Sequence, residues 1–273
     1  MKLLIAADME GISGVVSFDQ TDPSHPEYQR FRRLMTQDVN AAVQGAWEAG
    51  VEEIIVTDGH WNASNILIEE LDHRARLHSG TTAPWAMVQG VESGVDGVFF
   101  VGYHARIGTP NAILDHTWSS IRVNNLWLNG RLVGETGLNA ALCGSFDVPV
   151  LLVTGDEAVC IEAKEWLPGV ETVAVKKATG RHSAECLPVS LSQKKIQQGS
   201  FQAIRAFNEN APEPLIIPSP VTLAVEFIYS DMADRAAVFP GARRLEERKV
   251  EVKAADVQTT FRGFLALLAL SSR

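Results

Sequence analysis

The segment Lys2-Leu3-Leu4-Ile5-Ala6-Ala7-Asp8-Met9-Glu10-Gly11-Ile12-Ser13-Gly14 runs from uninterrupted aliphatics into two acids and then into glycines. A run that is apolar on both faces suits a strand of a parallel sheet covered on both sides. A carboxylate in such a setting is costly unless it is paired or bound to a cation. The same unit recurs. Glu53-Ile54-Ile55-Val56-Thr57 leads to Asp58-Gly59-His60, Val98-Phe99-Phe100-Val101 to Gly102-Tyr103-His104, and Val150-Leu151-Leu152-Val153 to Thr154-Gly155-Asp156. Between the first two runs, residues 27–49 have helical character and end at Gly50, and residues 134–146 and 156–167 read as further helices. The pattern predicts an α/β fold, a mostly parallel sheet with helices on both faces.

One stretch departs from this rhythm. Residues 121–124 and 126–133 read as a β-meander, with Asn129-Gly130 a hairpin-turn signal. The loop 107–115, with Gly108, Pro110 and Asn111, is expected to lie over a site. Beyond Pro168-Gly169 the acid–histidine corners cease. A helix over 191–208, strands over 223–227 and 249–253 and a final helix over 256–270 are expected there, with the proline-rich 212–220 as a connection. The chain thus reads as a metal-binding catalytic α/β region, 1–168, and a smaller C-terminal α+β region, 169–273, packed on the first.

Bulk properties exclude several classes. Of 273 residues, 46% are hydrophobic and 21% charged, which is ordinary for a globular protein. The net charge of −9 and the absence of a basic run argue against nucleic acid as partner. No stretch approaches the roughly 20 apolar residues needed to span a bilayer, and the first seven residues are too short for a signal peptide. No membrane association is expected. Cys143, Cys160 and Cys186 are odd in number, widely spaced and without a CxxC, so they read as small buried thiols in a reducing cytoplasm. Neither a GxSxG elbow nor a nucleotide-binding glycine fingerprint is present.

The chemistry gathers at the corners. Ligands of parallel α/β sheets collect beyond the carboxyl ends of the strands, where three of the four runs place Asp8 and Glu10, Asp58 and His60, and His104. Residues two apart in extended chain share a face, so Asp8 and Glu10 can aim at one point. Carboxylate with imidazole is a donor set for zinc, manganese or iron rather than calcium. Each residue also has a plainer reading: Asp58 before Gly59 can initiate a turn, and a single histidine after a strand can be a cap. Repetition at one kind of position favours the metal. His25, His73, His78 and His182 lie in polar surroundings and are expected at the surface.

In order and spacing, Asp8-Met9-Glu10-Gly11-Ile12-Ser13-Gly14, Asp58-Gly59-His60, Gly102-Tyr103-His104-Ala105-Arg106, Asp115-His116-Thr117 and Val133-Gly134-Glu135-Thr136-Gly137-Leu138-Asn139-Ala140 resemble the zinc-dependent D-aminopeptidases of the bacterial dipeptide-transport-operon type. The resemblance extends over most of the chain. It implies an α/β aminopeptidase with two Zn2+ per subunit in a ring-shaped homodecamer of two stacked pentamers. By position it implies Asp8, Glu10, His60, His104 and Glu135 as metal ligands, with Asp8 bridging, and His116 as an additional catalytic histidine, nucleophile or acid/base. Glu135 enters through the resemblance alone. Gly59 and Asp115 stand where a member of that family carries serines, which bears on substrate preference. Two divalent cations a few ångströms apart can activate water and polarise a scissile carbonyl. The expected activity is removal of N-terminal D-residues such as D-alanine from short peptides. The other readings are hydrolysis of L-peptides or other small amides, and a non-catalytic metal- or solute-binding ring subunit. D- against L-selectivity depends on pocket shape, to which loop 107–115 and Val225-Glu226-Phe227 are expected to contribute.

Overall fold

The computed structural model describes residues 1–81 and 84–272. Along the chain the strands are β1 (Lys2–Ala7), β2 (Glu53–Asp58), β3 (Ala75–His78), β4 (Gly97–Tyr103), β5 (Val123–Leu128), β6 (Arg131–Leu132), β7 (Val150–Asp156), β8 (Glu171–Gly180), β9 (Ser183–Cys186), β10 (Val221–Phe227), β11 (Arg243–Arg244) and β12 (Lys249–Ala254). The helices are α1 (Tyr28–Glu48), α2 (Glu135–Gly144), α3 (Glu157–Trp166), α4 (Val189–Glu209), α5 (Ser230–Ala236) and α6 (Val257–Ser271). Among the described residues no helix is long and apolar enough to cross a membrane.

Seven strands form one sheet in the order β3-β2-β1-β4-β7-β8-β9, parallel except for the β8–β9 hairpin. The period of two along β1 sorts its side chains between two cores. Leu3 and Ile5 join Phe31, Met35 and Val39 of α1 and Ile196 and Ala203 of α4, while Leu4 and Ala6 face Leu138 of α2 and Val159 and Ala163 of α3. Both faces are therefore covered by helices, as the both-sided apolar runs predict. The four runs form the adjacent strands β2, β1, β4 and β7 at the sheet's centre. The chain leaves β1 toward β2 and β3 and then returns to β4 on its other side. This places the topological switch point between the carboxyl ends of β1 and β4.

A second, antiparallel sheet has the order β11-β12-β10-β5-β6. Its inward residues Val123, Leu126, Leu223, Val225, Phe227, Val250 and Val252 meet Phe261, Phe264 and Leu267 of α6 and merge with the α2–α3 core. Sheet membership crosses Pro168 in both directions: β8 and β9 complete the first sheet, and β5 and β6 belong to the second.

Two local expectations need correction. The predicted break at Asn125 does not occur; β5 runs through Asn124 and Asn125 because both side-chain amides donate to Glu226 Oε2 on the neighbouring β10, at 2.7 and 3.0 Å. The turn at Asn129-Gly130 forms as expected, with φ of 45° and 79°, the pair of left-handed residues that joins two strands with matching twist. Cys143 and Cys160 are buried, but Cys186 is exposed because it ends the edge strand β9. His73 and His182 are exposed, and His25 and His78 are half-buried.

Candidate metal centre

The switch point is held open by the backbone itself. After β1 the chain keeps pairing with its neighbours: Asp8 N donates to Val101 O, Gly11 N to Gly102 O and Gly59 N to Ala7 O, each at 2.8 Å. Gly102 has φ of +77°, and a Cβ there would run into the Asp8 carbonyl, so only glycine lets the two strand ends lie this close. The Lys176 ammonium on β8 donates to the carbonyls of Glu10, Ile12 and Val15 at 2.7–2.8 Å, using all three of its protons. Ser13 between them donates from both N and Oγ to the buried Asp38 carboxylate on α1. Burial pushes Lys176 down to about 8 and Asp38 up to about 6.

Asp8, Glu10, His60, His104, His116 and Glu135 are all buried, and the structure brings the six together. Asp8 divides its two oxygens. Oδ1 lies 3.3 Å from His60 Nδ1, and Oδ2 lies 3.5 Å from His104 Nε2. Glu10 Oε2 is 3.1 Å from His60 Nδ1, while Glu135 Oε1 is 3.3 Å from His104 Nε2 and 3.9 Å from His116 Nε2. Glu135 is the first residue of α2, where the helix N-terminus favours a negative charge, and its Oε1 also accepts a 2.6 Å bond from Trp118 N. The rings of His104 and His116 stack at 4.0 Å between centroids, 9° from parallel.

The outward nitrogens of the three histidines fix their tautomers. His60 Nε2 donates to Thr21 O at 3.0 Å, His104 Nδ1 to Ala105 O at 3.0 Å and His116 Nδ1 to Leu114 O at 2.8 Å. A carbonyl can only accept, so in each neutral ring the nitrogen turned inward carries a lone pair. Lone pairs and carboxylate oxygens then face one another, and Asp8 Oδ2, Glu10 Oε2 and His104 Nε2 have no hydrogen-bond partner. Acceptors packed against acceptors in a buried space require a cation or protons. Without a metal, protons take that place. Burial, with Glu10 beside it, pushes Asp8 up to about 7. Burial works against charge on His60 and His104, yet Glu10 and Asp8 hold the first, and Glu135 and Asp8 the second, well above the usual histidine value. His116 goes the other way, lowered by burial and by His104.

The donor atoms of Asp8, Glu10 and His104 lie within 4.8 Å of one another, as do those of His104, His116 and Glu135. Either trio, or Asp8 with His60 and Glu10, could hold a divalent ion, and the mixed oxygen–nitrogen donors suit zinc.

Asp58, a candidate from its position after β2, is committed to the loop instead. Its carboxylate accepts from Asn65 N at 2.5 Å, Ile66 N at 2.8 Å and Asn65 Nδ2 at 2.8 Å. Asn65 also donates to His60 O at 2.6 Å, so the pair shapes the loop that presents His60. Strand position does not single out Asn65, Lys176 or the Thr21, Ala105 and Leu114 carbonyls. Backbone acceptors carry no sequence signal.

The cluster opens on a cavity of about 780 Å³, with Phe18, Asp22, Trp61, Met87, Trp118 and Leu265 among its lining. Neither loop 107–115 nor Val225-Glu226-Phe227 lines it; the wall next to His116 comes from residues 118–122.

Carboxylates and tautomer-fixed imidazoles at the switch point of a parallel α/β sheet, beside a cavity that can hold a short peptide, define a metallohydrolase. A family model for D-aminopeptidase matches residues 1–266. A D-aminopeptidase of Bacillus subtilis (strain 168) is 34% identical over 274 residues, spanning 100% of this chain and 98% of the relative. The solved structure of a Zn-dependent D-aminopeptidase from Bacillus subtilis, DppA, named a self-compartmentalizing protease, superposes with a TM-score of 0.95 at 34% identity, covering 100% of this chain and 98% of that one. The chain belongs to the D-aminopeptidase family.

Proposed function

We propose that Asp8, Glu10, His60, His104 and Glu135 hold two zinc ions per subunit, with Asp8 shared between them, and that the enzyme removes N-terminal D-residues such as D-alanine from short peptides. The observation that carries this reading is the facing of unpartnered acceptors: Asp8 Oδ2, Glu10 Oε2 and the inward lone pair of His104 meet in a buried space that only cations or protons can satisfy. The split of the Asp8 oxygens between His60 and His104 supports two half-sites joined by one carboxylate. The zinc dependence of the Bacillus relative supports the choice of metal.

Zinc bound there supplies Lewis acidity for a carbonyl oxygen and acidifies water. The chain's own residues do the rest. Three carboxylates offset most of the charge of two divalent ions, which makes their burial tolerable. The carbonyls of Thr21, Ala105 and Leu114 keep the imidazoles from rotating. His116, held neutral by burial and by His104, turns its Nε2 lone pair to the cavity, where it takes the proton released by the attacking water and passes it to the leaving amine. The apolar lining, Phe18, Trp61, Met87 and Trp118, excludes water from the far side of the substrate.

The self-compartmentalizing assembly of the Bacillus relative supports a homo-oligomer here with sites enclosed from folded proteins; the decamer is what the family resemblance implies. Free cysteines fit a cytoplasmic setting.

The test is hydrolysis of paired D-alanyl and L-alanyl peptides by chelator-stripped enzyme with and without zinc, together with metal analysis. Zinc-dependent cleavage of the D-form with two equivalents bound is expected. Cleavage of the L-form alone would remove the substrate assignment, and full activity with one equivalent would remove the second zinc.

A further inference from the structure

We propose that Arg181, at the tip of the β8–β9 hairpin, is a positioning residue for the reaction: it latches the segment 114–116 so that His116 keeps its Nε2 on the metal cluster. This rests on the role proposed above for His116.

Arg181 lies 66 positions from Asp115; two bonds join them and a third joins Arg181 to the neighbouring Leu114. Arg181 Nε donates to Asp115 Oδ1 at 2.8 Å, its Nη2 donates to Asp115 O at 3.0 Å, and Leu114 N donates to Arg181 O at 2.9 Å. The other Asp115 oxygen accepts from Gly108 N at 2.6 Å, so one carboxylate ties the hairpin to the start of loop 107–115. The latch closes over strained backbone. Leu114 has φ of 49°, a left-handed conformation unusual for leucine, and it is this conformation that turns the Leu114 carbonyl to within 2.8 Å of His116 Nδ1. Such strain persists only where surrounding contacts over-determine it, and here the hairpin bonds both Leu114 and Asp115. The guanidinium also sits 5.3 Å from the centre of the Phe18 ring, which meets the His116 ring edge-on at 6.0 Å. One side chain therefore restrains both the peptide beneath His116 and the ring beside it.

Arg181 gives the buried Asp115 carboxylate its charged partner. The Arg181 side chain is 43% exposed against 11% for Asp115, so truncating the arginine does not open the core.

The test compares Arg181→Ala and Arg181→Lys with the parent, all zinc-loaded. For Arg181→Ala we expect kcat to fall about tenfold to a hundredfold, the scale of a slightly misplaced catalytic group, with KM, zinc content and thermal midpoint unchanged. Arg181→Lys recovers part of kcat, because an ammonium can reach one Asp115 oxygen but cannot reproduce the two-pronged grip. The crystal structure of Arg181→Ala is expected to show the His116 ring turned off Leu114 O. An unmoved ring, or a kcat within about twofold of the parent, overturns the latch. His116→Ala with undiminished kcat would instead remove His116 from the mechanism; the ring position in Arg181→Ala then decides the latch by itself.

Discussion

His116 illustrates how one side chain acquires a chemical state from its surroundings. Its Nδ1 proton is assigned by Leu114 O, its stacking partner His104 disfavours a second positive charge, and Nε2 is left basic toward the cavity. His116→Ala should keep the two proposed zincs and lose most of its turnover; metal analysis beside steady-state kinetics checks this, and a lost equivalent of zinc would make His116 a ligand. Asp8→Asn should release zinc, since an amide supplies neither the charge nor the second oxygen of a shared carboxylate; dialysis against a zinc buffer measures the loss. Glu162 on α3, which bonds the chain just after His104 and feels its charge, gives a pH test at a residue outside the cluster. It accepts from Arg106 N at 2.8 Å, but its buried Oε1 has no partner, and burial raises its pKa to about 7. A carboxyl raised above its unfolded value stabilises the fold fully below about pH 4.5, and that contribution is lost as pH rises through about 7. Glu162→Gln removes the ionisation, so its thermal midpoint should match the parent's at low pH and exceed it at pH 8, by the equivalent of about 3 kcal/mol.

At the scale of elements, the site depends on how closely β1 and β4 end. Gly102→Ala adds a Cβ against the Asp8 carbonyl in a left-handed conformation. It should destabilise the fold by a few kcal/mol and weaken zinc binding together, as urea unfolding and zinc titration would show. Lys176→Met should be comparably damaging, because it strips the Glu10, Ile12 and Val15 carbonyls of their donor in a buried loop. The central strands, α1, α2, α3, α4 and α6 are legible as periodic or doubly apolar runs. The continuity of β5 is not, because two asparagines look like a break until Glu226 of β10 satisfies them. The donor role of Lys176 is equally invisible, since its partners are backbone carbonyls more than 160 residues away.

For the whole molecule, the seven-stranded sheet supplies Asp8, Glu10, His60 and His104 from three adjacent strands, while Glu135 comes from α2 and His116 from the loop before β5. The proposed metal centre would therefore tie elements that the two sheets hold separately. Removing zinc with a chelator should lower the thermal midpoint, and restoring it should return the midpoint, because a ligand bound only by the folded state stabilises by mass action. An unchanged midpoint would mean that protons on Asp8 and the histidines stabilise the cluster as well as the cations do.

The sequence by itself determined the α/β class and the central strands, and it marked out the five residues proposed as ligands, with His116, that the fold brings together. Both-faced apolar runs and their acid–histidine corners are local, and the ordered motifs carried Glu135, which no strand position marked. Only the tertiary structure decided the exchange of strands across Pro168, the diversion of Asp58 to its own loop, the cavity wall at 118–122 and the Arg181 grip on Asp115. Each of these depends on a partner distant in the chain or on a backbone group. Neither leaves a trace in local composition or periodicity.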